Sequence, residues 1–168
     1  LMIVELEWYE WQAAAEVGIR RKSESIRHGH KDKYGVNFTP ITDPGWQVIS
    51  ACSEAAVCKG LNIYYDSSVN TFERADVLLK NHKIEIKSQL HHLIDDKKHQ
   101  NYLVARPNYD SDTKYLLVLV HSLTRYELCG FMTGYECKQD KWLGAVYGRP
   151  AIFRVPLDVL HDVRILMT

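Results

Sequence analysis

Residues 75–90, with the sequence ADVLLKNHKIEIKSQL, decide the fold of this chain. Apolar and polar residues alternate on both sides of Asn81-His82, a pattern that is typical of a β-hairpin. Asn tolerates a positive φ, which favours Asn81-His82 as a two-residue turn. The stretch therefore predicts one strand over residues 76–80 and a second over residues 83–90.

A register that pairs Lys80 with Lys83 sets Val77 opposite Ile86 and Asp76 opposite Lys87. Side chains alternate between the two faces of a strand, so each face of the hairpin has its own composition. The face that we expect to enter the core carries Val77, Leu79, Ile84, Ile86 and Leu90. The opposite face carries Asp76, Leu78, Glu85, Lys87 and Gln89.

The polar face carries residue types that suit phosphodiester hydrolysis. Opposed side chains lie about 4.5–5.5 Å apart and diagonal ones about 7–8 Å, so the carboxylates of Asp76 and Glu85 can converge on one divalent cation. A hard cation binds a phosphate oxygen and lowers the pKa of a bound water. Lys87 can orient that water or offset charge on phosphorus. The alternative is an exposed strand face with an ordinary Asp76–Lys87 ion pair, which contributes little to stability.

The order Asp76, a short spacer, then Glu85-Ile86-Lys87 resembles the core motif of the PD-(D/E)xK, or restriction-endonuclease-like, nuclease superfamily. Ala75 stands where the superfamily usually has proline. The resemblance implies a metal-dependent nuclease that hydrolyses DNA phosphodiester bonds, an Mg²⁺-dependent deoxyribonuclease. It implies that Asp76 and Glu85 bind Mg²⁺ or Mn²⁺, with the Ile86 carbonyl as a further ligand, and that Lys87 orients the attacking water.

Two more residues match the superfamily pattern by position. The superfamily has an acidic residue on the helix before the hairpin, and Glu54 is the matching candidate, although Ser53 stands where glycine is expected. An acid near the apolar side of a helix is costly unless it is paired or bound to a cation. The resemblance gives Glu54 a role in metal binding or proton transfer. Gln89 matches the polar residue beyond the lysine, which orients its neighbours.

A looser resemblance, to small phage-encoded nuclease-like proteins, covers residues 46–160. Those proteins continue the hairpin with a hydrophobic strand and a final Gly-Trp/Tyr…Gly-Arg-Pro…Val-Pro segment. The matching residues here are Gly134-Tyr135, Trp142, Gly148-Arg149-Pro150 and Val155-Pro156. The expected organisation is one domain over residues 1–168, with an N-terminal helical extension over residues 1–35 and a core over residues 46–160.

The remaining pattern predicts helices followed by strands, which is typical of an α/β (α+β) domain with a mixed central β-sheet. The restriction-endonuclease-like core adds the expectation that helices flank this sheet. The apolar run YLLVLVH, over residues 115–121, predicts a strand that is buried on both faces. We expect helices over residues 5–25 and 46–59, a loop or short helix over 134–148, and further strands over 61–65, 102–105, 125–132 and 151–155.

Composition limits the ways in which this chain can bind DNA. Its 168 residues are 46% hydrophobic and 25% charged, as in one globular domain, and the formal net charge is zero. A basic field over the whole protein is therefore excluded, and DNA must be held by a local patch. The candidate phosphate contacts are Arg20, Arg21, Lys22, Lys97, Lys98 and Arg149. A solvated helix face is the alternative for the first three.

Other features bear on location and partners. No apolar run reaches the roughly 18 residues of a membrane span, so we expect a cytoplasmic protein, acting in the host cell if it is phage-encoded. Five and seven residues separate the cysteines of the pairs Cys52/Cys58 and Cys129/Cys137, spacings that fit packed thiols rather than a zinc site. A homodimer is a natural way to cut both DNA strands.

A non-catalytic function is the main alternative to the nuclease. A nucleic-acid-binding or assembly protein can retain a nuclease-like fold, and the neutral net charge favours that interpretation. The complete set of Asp76, Glu85 and Lys87 favours the enzyme.

Overall fold

The computed structural model describes residues 1–29, 42–69, 75–91, 101–146 and 149–168. Strands and helices are mixed along the chain, as the sequence predicts. In chain order they are β1 (Met2–Glu5), α1 (Trp8–Arg27), α2 (Thr42–Gly60), β2 (Val77–Leu79), β3 (His82–Leu90), β4 (Leu103–Ala105), β5 (Lys114–Val120), β6 (Arg125–Thr133), α3 (Gly134–Cys137), β7 (Leu143–Val146) and β8 (Arg149–Val155). Among the described residues, none of the helices is both long and apolar enough to cross a membrane.

The main sheet has five strands in the order β1-β6-β5-β3-β2. β3 and β5 pair in parallel, and the other neighbours pair antiparallel, so the predicted mixed sheet is confirmed. β5 lies at the centre and is buried on both faces, as its apolar run predicts. β2 is the short edge strand, and the stretch that carries the candidate site therefore lies at one edge of the sheet.

The two faces of the main sheet are covered by different layers. On one face, Leu116 and Val118 of β5 pack in a core cluster with α1 and α2 residues such as Ala14 and Val57. On the other face, Leu117 and its neighbours pack against a second sheet of three strands, in the order β4-β8-β7. The expectation that helices flank the sheet is therefore correct for one face only. The alternating apolar residues of β4 and β8 supply the apolar layer on the other.

The first 27 residues pack against the rest of the described chain. β1 pairs with β6, so this segment begins with a strand that the sequence pattern did not predict. α1 packs closely on α2, because Gly18 has no side chain: a Cβ there would lie 2.6 Å from the carbonyl oxygen of Gln47. The predicted helix over residues 5–25 thus forms as α1, but as an integral part of the fold rather than as an extension of it.

The hairpin forms with a register two residues away from the predicted one. Val77 lies opposite Ile84 and Leu79 opposite His82, and the turn is at Lys80-Asn81, where Lys80 takes a φ of 54°. A shift of two residues leaves every side chain on its expected face, because the period of a strand is two. Leu90 differs from the prediction: it is 45% exposed and lies outside the core. Residues 61–65, which we expected to form a strand, have no regular structure.

Candidate active site

The carboxylate of Asp76 is held at the outer edge of β3. The backbone N–H of Ile86 donates a hydrogen bond to Asp76 Oδ2, over 2.7 Å. β2 pairs with β3 only as far as Ile84, and in the described part of the chain no strand pairs with this edge beyond it. Asp76 supplies the acceptor that a neighbouring strand would otherwise provide. The carboxylate is therefore held at the point where the pairing of β2 with β3 ends and the next backbone N–H of β3 is open to it.

Glu85 and Lys87 follow on β3 with alternate spacing and so share one face. In the parallel register with β5, Glu85 aligns with Tyr115 and Lys87 with Leu117. Lys87 Nζ lies 3.4 Å from Glu85 Oε2, and both side chains are partly exposed. Glu85 and Lys87 therefore share a face, as the alternation predicts, and a loose ion pair joins them.

Gln89, the next residue on that face, is bonded to the segment that precedes β4. Its Nε2 donates to the carbonyl oxygen of Tyr102 over 2.7 Å, and its Oε1 accepts from Asn101 Nδ2 over 3.1 Å. These bonds tie the main sheet to the beginning of the second sheet. The role that this geometry supports for Gln89 is the positioning of neighbouring backbone.

Glu54 on α2 is buried and paired with Arg21 on α1. Arg21 Nη1 lies 2.6 Å from Glu54 Oε2, and the two side chains are 19% and 8% exposed. Arg21 also donates to the carbonyl oxygens of Ser68 and Asp66. Arg21, which the sequence suggested as a surface phosphate contact, is therefore held inside the site. The cost of burying an acid indicates from the sequence that Glu54 needs a cationic partner. It does not indicate that this partner is Arg21.

Of the other predicted phosphate contacts, the structure describes Arg20 and Lys22, and neither lines the site. Arg20 forms a surface ion pair with Glu16 on its own helix, and Lys22 lies half-buried on the same helix. Lys97, Lys98 and the side chain of Arg149 lie outside the described residues. Among the predicted phosphate contacts that the structure describes, Arg21 alone therefore lies at the site.

The carboxylates at the site act on one another electrostatically. Burial, together with the negative charges of Glu54 and Glu85, raises the pKa of Asp76 to about 7, although the Ile86 bond and Lys87 oppose this. Burial also raises the pKa of Glu54, and Arg21 only partly offsets it. Burial alone would lower the pKa of Lys87, but the pKa is raised by Tyr109, Asp76 and Glu85. The site therefore holds a charged lysine beside carboxylates that are short of positive charge.

These residues line one cleft at the edge of the main sheet. A cavity of about 690 Å³ is bordered by Glu54, Asp76, Glu85 and Arg21, and also by Lys83. An adjoining cavity of about 390 Å³ shares the first four of these residues and is bordered by Lys87 as well. The four shared residues lie where the two cavities meet. A substrate that entered either cavity would reach the carboxylates.

The chemistry of the donors fits a hard divalent cation. In the described ranges, no three His, Cys, Asp or Glu side chains are already grouped as a ligand set. The available donors around Asp76 are nevertheless oxygens: its own carboxylate, those of Glu85 and Glu54, and the carbonyl of Ile86. Oxygen donors are those that Mg²⁺ and Mn²⁺ prefer. The raised pKa of Asp76 reflects its burial first and then the negative charges of Glu54 and Glu85, which a cation would neutralise.

Sequence reasoning missed the aromatic part of the site. Tyr109 and Tyr115 stack on each other beside Lys87. Tyr115 lies within the predicted buried strand, and Tyr109 comes from the turn before it. The parallel pairing of β3 with β5 brings these rings to Lys87. The sequence around either strand does not predict that pairing.

Comparisons of this chain with models of protein families, with curated proteins and with solved structures find no match. A function for the cleft must therefore be argued from its own residues, their contacts and their charges.

Proposed function

We propose that this chain is a metal-dependent nuclease that hydrolyses DNA phosphodiester bonds in the cleft lined by Asp76, Glu85, Lys87 and Glu54. One observation carries the proposal: the Ile86 N–H holds the Asp76 carboxylate beside those of Glu54 and Glu85, and burial together with these two negative charges raises the pKa of Asp76 to about 7. Such clustering of like charges is costly in a fold. It is expected where a site has to bind a cation.

The residues that would hold Mg²⁺ or Mn²⁺ are Asp76 and Glu85, together with the carbonyl of Ile86. A cation bound there supplies a Lewis acid for a phosphate oxygen and lowers the pKa of a bound water. Glu54 borders the same cavity and adds negative charge from the helix side. Its bond to Arg21 fixes the direction of the carboxylate and keeps part of its charge compensated.

Lys87 acts in this proposal as a charged hydrogen-bond donor. Its pKa is raised above the ordinary value by the surrounding negative groups, so the ammonium stays protonated at neutral pH. A protonated lysine cannot take a proton from water, but it can donate to a water or to a phosphate oxygen. That donation stabilises the negative charge that develops during phosphodiester cleavage.

The charges of the cleft make DNA binding dependent on a cation in this proposal. The lining of the larger cavity includes Glu54, Asp66, Asp76, Glu85 and Asp110, against only Arg21 and Lys83. A polyanion is repelled by such a surface until cations neutralise it. We therefore expect the affinity of the cleft for DNA to depend on the divalent cation.

Cleavage assays test the proposal directly. Supercoiled, linear, branched and single-stranded DNA are incubated with the purified protein and Mg²⁺ or Mn²⁺. Lys87→Met removes the proposed donor, and Lys80→Met removes the exposed lysine at the turn of the same hairpin. We expect Lys87→Met and Asp76→Asn to lower the cleavage rate about 100-fold or more, and Lys80→Met to change it less than about twofold. Full activity in Lys87→Met and Asp76→Asn would contradict the proposal.

A non-catalytic nucleic-acid-binding or assembly protein remains the second candidate. The observation in its favour is that two of the three carboxylates already have cationic partners. Glu54 is paired with Arg21, and Glu85 is paired with Lys87. A calorimetric titration with Mn²⁺ distinguishes the nuclease from the non-catalytic protein. Cation binding that Asp76→Asn abolishes supports the enzyme. DNA binding without cation binding and without cleavage supports the alternative.

A further inference from the structure

The ammonium of Lys87 lies against a pair of tyrosine rings. Its Nζ is 5.2 Å from the ring centroid of Tyr109 and 5.6 Å from that of Tyr115. The two rings are stacked, with centroids 4.3 Å apart and planes inclined by 12°. Both distances are within the range of a cation–π interaction. We call Tyr109 and Tyr115 the tyrosine pair.

The ion pair with Glu85 restrains the Lys87 side chain only weakly, and the tyrosine pair adds a second restraint. The Nζ–Oε2 distance of 3.4 Å is at the long end for a hydrogen bond. A lysine side chain has four rotatable bonds and loses considerable entropy when it is held in one place. An aromatic face attracts the ammonium without accepting a directed hydrogen bond from it. The N–H donors of Lys87 are then left to bind water or phosphate.

Tyr115 is fixed by the fold of the main sheet. It lies on β5, where the parallel register aligns it with Glu85 of β3. Its ring is buried in the apolar cluster between the two sheets, with Leu117 and Met132 among its neighbours in that cluster. Its position is therefore as rigid as the centre of the sheet.

Tyr109 is fixed by the loop between β4 and β5. Lys138 Nζ donates to the Tyr109 carbonyl oxygen over 2.5 Å, and the Tyr109 N–H donates to the carbonyl of Arg106. The far end of the loop is tied to α3, since the Gly134 N–H donates to the Thr113 carbonyl over 2.9 Å. This loop is anchored at several points along its length, although it lies on the surface.

We propose that Tyr109 is a positioning residue that, with Tyr115, holds the Lys87 ammonium in place for phosphodiester cleavage. The inference rests on the proposed nuclease function for its catalytic consequence, and on contacts within the chain for the positioning itself. Tyr109 does not touch the substrate in this proposal. It acts through Lys87, and the proposed contact is made by its ring.

Three variants separate the ring from the rest of the side chain. Tyr109→Leu removes the ring and keeps an apolar side chain, and Tyr109→Phe keeps the ring. Tyr135→Leu is the matched control, because Tyr135 lies nearby on α3 and is 77% exposed. Lys138→Met, which removes only the donor to the Tyr109 carbonyl, is a second variant that loosens the loop without changing the ring.

The first readout is nuclear magnetic resonance of the protein without metal or DNA. Ring currents of the tyrosine pair should displace the signals of the Lys87 ε-methylene protons upfield. We expect the displacement to persist in Tyr109→Phe and Tyr135→Leu, to shrink in Lys138→Met, and to be largely lost in Tyr109→Leu. An unchanged Lys87 signal in Tyr109→Leu overturns the inference, whatever the wild-type protein cleaves. If Tyr109→Leu does not fold, an unchanged signal in Lys138→Met overturns it instead.

The second readout is the kinetics of DNA cleavage. We expect Tyr109→Leu to lower kcat about tenfold, with KM changed less than about twofold, and Tyr109→Phe to restore the wild-type rate. A loss of kcat in Tyr109→Phe equal to that in Tyr109→Leu overturns the argument from the ring. If the wild-type protein cleaves no DNA while the Lys87 displacement is lost in Tyr109→Leu, the nuclease function fails and the positioning contact stands.

Discussion

The guanidinium of Arg21 lies 2.6 Å from the carboxylate of Glu54 and joins α1 to α2 beside the cleft. Both side chains are largely buried, so water solvates them poorly and each charge is compensated mainly by the other. The pair therefore connects the stability of the helical layer to the charge balance of the candidate active site.

Removal of Arg21 should destabilise the protein strongly, because Glu54 would be left buried and uncompensated. We expect Arg21→Gln to lower the free energy of unfolding by about 3 kcal/mol. Arg20→Gln is the control: its partner is Glu16 on the surface, both side chains are well exposed, and the loss should be below about 0.5 kcal/mol. Denaturant unfolding measures both values. Equal losses in the two variants would show that the buried pair contributes no more than the surface pair.

The stability of the metal-free protein should fall as the pH rises from about 4 to above 7. The pKa of Asp76 is raised from 3.8 to about 7, so between these values the folded state binds more protons than the unfolded state. The stabilising proton is fully bound below pH 4 and is lost as the pH passes 7. Asp76→Asn removes the titrating group, and an amide oxygen can still accept from the Ile86 N–H.

We therefore expect Asp76→Asn to be more stable than the wild type at pH 8, by a difference on the order of 2 kcal/mol, and by much less at pH 4. Unfolding is measured with a chelator present, and Asp112→Asn, in an exposed loop, is the control. Parallel pH profiles for the wild type and Asp76→Asn would refute the effect.

Divalent cations should stabilise the wild-type protein and not the site variants. A ligand that binds only the folded state raises its stability by about 1.4 kcal/mol at ten times its dissociation constant. We expect Mn²⁺ to raise the melting temperature of the wild type and of Asp112→Asn, and to leave that of Asp76→Asn combined with Glu85→Gln unchanged. Removal of the cation with a chelator should reverse the shift. A shift of equal size in the double variant would point to cation binding elsewhere.

Gly134 should not tolerate a side chain. A Cβ at this position would lie 2.0 Å from the carbonyl oxygen of Asp110, which belongs to the loop that carries Tyr109. We expect Gly134→Ala to cost about 2 kcal/mol or more. Gly45→Ala is the matched control, since nothing lies within 4 Å of its added Cβ and alanine favours a helix. Thermal unfolding of both variants tests the difference, and a Gly134→Ala variant as stable as the wild type would contradict the close approach.

Sequence reasoning found the two faces of the hairpin because a strand pattern repeats every two residues and tolerates a shift of two. It missed the register because that depends on the turn, and Lys80 rather than the expected Asn81-His82 pair begins the turn, with a positive φ. Asp76, Glu85 and Lys87 could be identified because they lie within one short stretch. The metal and the reaction at these residues stay predictions.

The other parts that sequence reasoning missed depend on contacts between distant segments. β1 forms by pairing with β6, and its four residues carry too little local signal to indicate a strand. The second sheet, which covers one face in place of helices, is assembled from three short strands whose partners no local pattern identifies. Arg21 reaches Glu54 across the interface of two helices. Local patterns predict elements, whereas these contacts depend on how the elements pack.

The pairing of β1 with β6 also has a consequence for the way in which this chain folds. Glu5 and Arg125, which face each other at the end of this pairing, are separated by 120 positions in the sequence. During synthesis, β1 leaves the ribosome before β6 and cannot form this pairing until β6 follows. Contacts between such distant segments slow folding, because a long loop must close before any of them forms. A chain released before residue 125 would have β1 as an unpaired strand, open to association with other chains.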